Sequence, residues 1–162
     1  MEGTLSVKGD LAVLGKLAAM IDEWFPGAVA TEVRTAAWGG WTIETVVALL
    51  ERLHPWQLLL VSFVARAGGR RSDREVRDMF AIGESGLRGQ TGPISKHIRS
   101  MKAAGMLPDD ASYLLKVDRT TNTATFVTPD ELVPIVQAAL ARDSIEKALE
   151  EARESQQLDE RR

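Results

Sequence analysis

The sequence predicts an α+β protein that is mainly helical. Apolar residues recur at three- and four-residue spacing in most of the longer stretches, which is typical of helices that bury one face. Several of these stretches begin at a capping residue or a proline and end at a glycine. A few short runs instead alternate apolar and polar residues between turn residues, as strands do.

The composition is that of an ordinary globular protein. Hydrophobic residues make up 44% and charged residues 27% of the chain. Its 162 residues suffice for one domain of ordinary size or for a small domain with an appended piece. The chain has no cysteine, which excludes disulfides and thiolate metal sites. It has no secretory signal pattern and no apolar run of membrane-spanning length, so we expect no membrane partner and a cytoplasmic location.

Residues 1–53 are expected to form a strand–helix–strand–helix region packed on the core. Strands are predicted at 4–8 and 28–34, where apolar and polar residues alternate. The helix between them begins after Asp10, a residue type that favours helix N-termini. A second helix, with a regular apolar face, is predicted at 43–53.

Two tryptophans flank a pair of glycines in Trp38-Gly39-Gly40-Trp41. Adjacent glycines favour a turn. The aromatic side chains either cover the core, as large side chains beside turns commonly do, or form an exposed patch that binds a protein partner.

The run from Trp56 to Ala65 is almost continuously apolar, which predicts a helix buried nearly all round. Pro55 suits the first turn of this helix, because its missing N–H is not needed there. Gly68-Gly69 is expected to end it.

The next helix start is marked by Ser72 and Glu75, which have the spacing of a capping box. In that motif each side chain bonds the backbone N–H of the other residue. The helix is expected to run to about Phe80, with Val76, Met79 and Phe80 as core contacts.

A further helix is predicted at 93–104, with Pro93 at its first position and Gly105 just past its end. One face is an apolar stripe formed by Ile94, Ile98 and Met101. The other face carries hydroxyl, ammonium and guanidinium groups from Ser95, Lys96, Arg99 and Lys102. Such donors suit phosphate oxygens and base edges, so this helix is a candidate for contacts with nucleic acid.

Two strands are predicted after this helix, at 112–117 and 123–127. The polar residues between them, which include Arg119, are expected to form a hairpin tip. Arg119 at such a tip can enter a minor groove or touch a phosphate, or it can simply be solvated.

The C-terminal region, residues 129–162, is predicted to be one helix with a frayed, charged end. Thr128, followed by Pro129 and Glu131, has the pattern of a helix start. A narrow apolar seam, here called the C-terminal seam, consists of Ile145, Leu149 and Ala152. This seam either pairs two chains in a homodimer or belongs to a solvated helix.

A resemblance to a known family lies in the Ser-Lys-His-Ile of 95–98, in Met101 and in the Ala-Gly-Met-Leu of 104–107. These residues resemble the recognition helix of bacterial winged helix-turn-helix regulators of the arsenic-repressor and multiple-antibiotic-resistance-regulator types. The resemblance covers residues 54–128. It implies a winged helix-turn-helix between the N-terminal extension and the C-terminal helix, with the recognition helix in the major groove and the following hairpin as the wing.

Residues 81–92 depart from that family's pattern, since a helix-turn-helix joins its two helices by about three or four residues. Either an extra turn is inserted here, or a kinked helix already begins near Leu87, which shares a helical face with Ile94. Arg88 and Gln90 are candidates for DNA contacts in both cases.

The candidate DNA contacts follow the distribution of charge. Nine basic and four acidic residues lie between Arg66 and Lys102, although the formal net charge of the whole chain is −3. Such a basic segment is either the electrostatic footprint of nucleic-acid binding or a solvated charged face. With the roles that the resemblance implies, the candidate contacts are Arg70, Arg71, Arg74, Arg77, Arg88, Gln90, Ser95, Lys96, Arg99, Lys102 and Arg119.

No pattern of a reaction centre is present. His54 and His97 are far apart in the sequence and have no carboxylate at metal-ligand spacing, and no serine lies in a nucleophile-elbow pattern. We therefore expect a protein that is not an enzyme and needs no cofactor. The first hypothesis is a cytoplasmic protein that binds double-stranded DNA, as a transcriptional regulator does. The alternative is a non-catalytic adaptor that binds proteins through a winged-helix fold.

Surface charge distinguishes these two hypotheses. DNA binding requires the candidate arginines and lysines to converge on one face. Ion pairs between the arginines and Asp73, Glu75 and Asp78 favour the adaptor instead.

Overall fold

The computed structural model describes residues 7, 11–29, 37–83, 91–120 and 122–160. The chain divides into two compact units, Met1–Thr35 and Ala36–Arg162. The described residues form seven helices and two small antiparallel sheets, which confirms the prediction of a mainly helical α+β protein. No helix in these residues is long and apolar enough to span a membrane.

The elements in chain order are α1 (Leu11–Trp24), β1 (Ala37–Trp38), β2 (Trp41–Thr42), α2 (Ile43–Leu50), α3 (Pro55–Arg66), β3 (Arg70–Ser72), α4 (Asp73–Phe80), α5 (Gly92–Ala103), β4 (Lys116–Asp118), β5 (Thr125–Val127), α6 (Val133–Leu140) and α7 (Asp143–Glu160).

The first unit contains α1, the helix predicted after Asp10. Its end is closed by a bond from the N–H of Phe25 to the carbonyl of Ile21, at 2.9 Å, and the chain turns away at Gly27 with a φ of +71°. The strands expected at 4–8 and 28–34 fall almost wholly outside the described residues.

The second unit begins with the short hairpin of β1 and β2. Gly39 and Gly40 have φ angles of +54° and +84°, a conformation that glycine adopts without steric cost. Trp41 is fully buried, and its indole N–H donates to the carbonyl of Ser112 at 2.9 Å. This tryptophan therefore belongs to the core, while Trp38 is half-buried against it.

Helix α2 follows this hairpin directly. The Thr42 hydroxyl accepts a hydrogen bond from the N–H of Thr45 at 3.2 Å, which caps the helix. The helix ends at Leu50, three residues before the predicted end, and residues 51–53 form a turn.

Helix α3 is buried on most sides, as its apolar sequence predicts. Leu60, Val61 and Val64 have no exposed surface, and α6 and α7 both pack against this helix. The helix ends in a Schellman arrangement, in which the N–H of Gly69 bonds the carbonyl of Val64 at 2.9 Å. The two glycines then lead the chain directly into β3.

A three-stranded antiparallel sheet has the order β3-β5-β4. In its register, Arg71 lies opposite Phe126, which in turn lies opposite Val117. Helices α4 and α5 occupy the connection between β3 and β4. Strand β3 was not predicted from the sequence, and β4 begins at Lys116 rather than at 112.

The predicted helix start at Thr128 is wrong. Its N–H bonds the carbonyl of Gly69 at 2.8 Å and so prolongs the pairing of β3 with β5, while its hydroxyl is buried without a hydrogen-bond partner. The following residues form a turn, and α6 begins only at Val133. The single C-terminal helix that was predicted is two helices, α6 and α7, separated by Ala141 and Arg142.

The C-terminal seam faces the core of its own chain. Ile145, Leu149 and Ala152 are each at most 2% exposed, and α7 packs on α3. These three side chains are thus covered without a partner chain, and a homodimer formed through this seam has no support.

Gly69 offers a test of how tightly β3 packs beside α6. A Cβ at Gly69 would lie 2.6 Å from Val133 Cγ2 and 2.8 Å from the carbonyl oxygen of Thr128, whereas a Cβ at Gly68 would meet nothing within 4 Å. Both residues have positive φ, so Gly68→Ala is expected to lower the free energy of unfolding by about 1–2 kcal/mol. Gly69→Ala should lower it by roughly a further 1–3 kcal/mol, because of overpacking.

Urea denaturation of the two variants measures this difference. Equal stabilities would contradict the close approach of Gly69 to the backbone of Thr128.

Candidate nucleic-acid interface

The entry to α4 is fixed by the predicted capping box. The Ser72 hydroxyl accepts from the N–H of Glu75 at 3.2 Å, and a Glu75 carboxylate oxygen accepts from the N–H of Ser72 at 2.8 Å. The prediction of this motif is confirmed. The guanidinium of Arg71, the residue that precedes the box, donates to the same carboxylate at 2.7 Å.

Three of the arginines around α4 are paired with acids. Arg71 lies 2.7 Å from Glu75, and Arg77 lies 2.6 Å from Asp73, measured between side-chain nitrogen and oxygen. Arg74 makes a looser contact of 3.9 Å with Asp78, and its side chain is 85% exposed. The ion pairs that favour an adaptor are therefore present, and α4 presents no excess of positive charge.

Helix α5 lies within one residue of its predicted bounds at each end. Pro93 lies in its first turn, and the chain leaves the helix at Gly105 with a φ of +71°. Ile94, Ile98 and Met101 are buried and fix which face of the helix points outward.

The outward face of α5 is basic. Ser95, Lys96 and Arg99 are exposed, and the helix contains no aspartate or glutamate. Neither Lys96 nor Arg99 forms an ion pair with any described residue. Here, in contrast to α4, the donors stay free for a ligand.

Lys102 has a structural contact instead. Its ammonium group donates to the carbonyls of Asp109 at 2.8 Å and Ala111 at 2.9 Å, and the side chain is half-buried. Two of its three donors thus tie the end of α5 to the turn that precedes β4. Among the basic residues of α5, Lys102 is the one least suited to reach a phosphate.

The hairpin between β4 and β5 carries both signs of charge near its tip. Arg119 is exposed, but the neighbouring Asp118 carboxylate accepts from the N–H and the hydroxyl of Thr120, at 2.9 and 2.8 Å. These two bonds, with smaller contributions from Lys116 and Arg70, lower the pKa of Asp118. Arg70 on β3 is exposed, and its positive charge interacts with the negative charge of the Asp118 carboxylate.

Lys116 was not among the residues singled out in the sequence. Its side chain is exposed on β4, and its ammonium nitrogen lies 4.5 Å from the centre of the Tyr113 ring. The sequence signal that could have identified Lys116 as a surface residue was its position in the predicted strand 112–117, where successive side chains face opposite sides. Arg88 and Gln90 lie outside the described residues, as does most of the connection between α4 and α5.

The described residues contain no group of three or more histidine, aspartate and glutamate side chains that could hold a metal ion. His97 is half-buried on α5, and His54 precedes α3. The arrangement offers hydrogen-bond donors and positive charge on one helix.

The capping box gives a prediction in pH. The backbone N–H of Ser72, the Ser72 hydroxyl and the guanidinium of Arg71 together lower the pKa of Glu75. A carboxyl with a depressed pKa stabilises the fold above its unfolded pKa, and this stabilisation is lost as the pH falls through the folded value. In Ser72→Ala the pKa of Glu75 should rise but stay below its ordinary value, since the backbone donor remains.

Carboxyl NMR titration measures the pKa values of Glu75 and Asp118 in one experiment. The pKa of Asp118, which depends on Thr120, is the internal control and should not change. An unaltered pKa of Glu75 in Ser72→Ala would contradict the role given to the hydroxyl.

Comparison of this chain with protein-family models, with curated proteins and with solved structures finds no match. The resemblance to winged helix-turn-helix regulators therefore stays a prediction. The function must be inferred from the topology and from the chemistry of the described side chains.

Proposed function

We propose that this protein binds double-stranded DNA through a winged helix-turn-helix formed by the elements from α3 to β5, as a transcriptional regulator does. The order of these elements supports the proposal: helix, strand, two helices and a two-stranded hairpin. The pairing of β5 between β3 and β4 also supports it, because this pairing joins the hairpin to the helical part. In this pose α5 enters the major groove and the hairpin is the wing.

The outward face of α5 is the observation on which the proposal mainly rests. Lys96 and Arg99 are exposed and unpaired among the described residues, and no acid on the helix repels the phosphates. A guanidinium can donate two hydrogen bonds to the edge of guanine, and an ammonium group can contact a base or a phosphate. Ser95, which precedes Lys96 in the first turn, supplies a hydroxyl for either kind of contact.

Helix α4 has a smaller part in this pose. The close pairs of Arg71 with Glu75 and of Arg77 with Asp73 must be loosened before either arginine can meet a phosphate. Arg74, with its long contact and exposed side chain, is the residue of α4 best able to do so.

The second candidate is a protein-interaction adaptor on the same fold. The three arginine–carboxylate contacts around α4 favour it, because they leave a surface of mixed charge of the kind found in polar protein interfaces. The net charge of −3 is also compatible with a protein partner. Salt-dependent DNA binding separates the two candidates, since an adaptor has no need to neutralise phosphates.

Arg99→Gln tests the role of α5. Loss of one phosphate contact should weaken the binding of every duplex and reduce the slope of log K against log salt by about 1, and loss of a base contact should also relax sequence preference. The matched control is Arg142→Gln, at the junction of α6 and α7, where Arg142 lies 3.8 Å from Glu44. Fluorescence anisotropy with labelled duplexes measures the DNA affinity of both variants. Equal losses of affinity in Arg99→Gln and Arg142→Gln would show that α5 is not part of the DNA interface.

Arg74→Ala tests the position of α4. If α4 crosses the DNA backbone, this variant should bind all sequences more weakly, again with a salt slope smaller by about 1. An unchanged affinity and slope would mean that the docking pose is wrong, even if Arg99 proves to be a contact.

A further inference from the structure

A groove lies on the second unit between α3, α4 and the C-terminal part of α7. Its volume is about 400 Å³. Phe63 of α3 and Met79 and Phe80 of α4 supply apolar surface, while Arg66, Arg71 and Arg153 supply three guanidinium groups. This combination differs from the basic face of α5, which has no apolar floor.

The apolar side of the groove consists of packed aromatic rings and of a methionine that is open to solvent. The rings of Phe63 and Phe80 meet edge to face, with their centroids 6.4 Å apart. The expectation that Met79 contacts the core is wrong, because Met79 is 53% exposed beside the groove. A thioether side chain adapts readily to ligands of different shape. Part of this apolar surface thus stays in contact with water.

The polar side of the groove has more positive than negative charge. Among the described residues, no carboxylate lines the groove, and Arg66 and Arg153 form no ion pair. Arg71 pairs with Glu75 and stacks over Phe63, with 4.6 Å from the guanidinium carbon to the ring centroid. Its Nε, however, is buried and has no hydrogen-bond partner.

The charge of Arg71 is paired with Glu75, and its buried Nε is not open to the groove. Arg66 and Arg153 therefore supply the unpaired positive charge for a ligand. Guanidinium groups favour carboxylates, since two parallel N–H groups match the two oxygens. A volume of about 400 Å³ is in the size range of small-molecule sites.

We propose that this groove binds a small amphiphilic organic anion, in which a carboxylate is attached to an aliphatic or aromatic body. The carboxylate meets the arginines, and the body lies on Phe63, Met79 and Phe80. This site is separate from the outward face of α5 and does not depend on DNA binding.

Isothermal titration calorimetry of the full chain with decanoate tests the proposal. Decanol has the same apolar body without the charge, and acetate has the charge without the body. We expect decanoate to bind at least about tenfold more tightly than either, because a charge-assisted hydrogen bond and apolar burial each contribute a factor of this order. No binding of decanoate at millimolar concentration, or equal binding of decanoate and decanol, would overturn the proposal.

Arg153→Gln then locates the site. Arg153 is exposed, so the variant is expected to fold, which circular dichroism can verify. Its affinity for decanoate should fall about tenfold, since one charged contact is lost. Arg99→Gln, on the outward face of α5, is the control and should bind decanoate as the wild type does. Equal affinities of the Arg153→Gln variant and the wild type would place decanoate elsewhere and overturn the proposal.

Discussion

Helix α3 lies against α6 and α7, and its side chains are buried on almost every side. Leu60, Val61 and Val64 have no contact with solvent, so the helix can exist only inside this set of neighbours. Burial of such aliphatic side chains is the dominant favourable contribution to folding. The position of α3 also fixes the start of the sheet, because its C-terminal glycines lead directly into β3.

From that core the chain builds two helices with opposite electrostatic character. Around α4, Arg71, Arg74 and Arg77 each have a carboxylate four residues away, and such pairs bring the local charge close to neutral. Helix α5 has no acid at all, and its apolar stripe holds Lys96 and Arg99 toward solvent. Those of the nine basic residues that the structure describes therefore do not form one uniform footprint, and the proposed interface is centred on α5.

Local patterns were sufficient to predict where α1 to α5 begin, since these signals lie within a few residues of each start, but they did not predict the division of the C-terminal region into α6 and α7. The capping box of Ser72 and the apolar stripe of α5 are examples, because each depends on atoms of the same helix. Strand β3 gave no such signal, since its three residues become a strand only by pairing with β5. Thr128 has the pattern of a helix start, but its N–H pairs with Gly69, a residue far away in the sequence.

The candidate site was predictable to the same limited extent. The sequence indicates that Lys96, Arg99 and Lys102 share a helical face, and the structure distinguishes them by their neighbours. Lys102 is tied to the carbonyls of Asp109 and Ala111, contacts that depend on the path of the chain after α5. The C-terminal seam was expected either to pair two chains or to belong to a solvated helix, because its sequence could not show that α7 packs on α3 of the same chain.

The most direct test of the central claim is to compare amide NMR spectra of the protein with and without a short DNA duplex at low salt. The account predicts that the largest shift changes fall on residues 95–99 of α5 and 118–120 of the hairpin, and that added salt reverses them. Unchanged spectra, or changes confined to α4 and α7, would contradict DNA binding through α5 and favour a protein-interaction role for this fold.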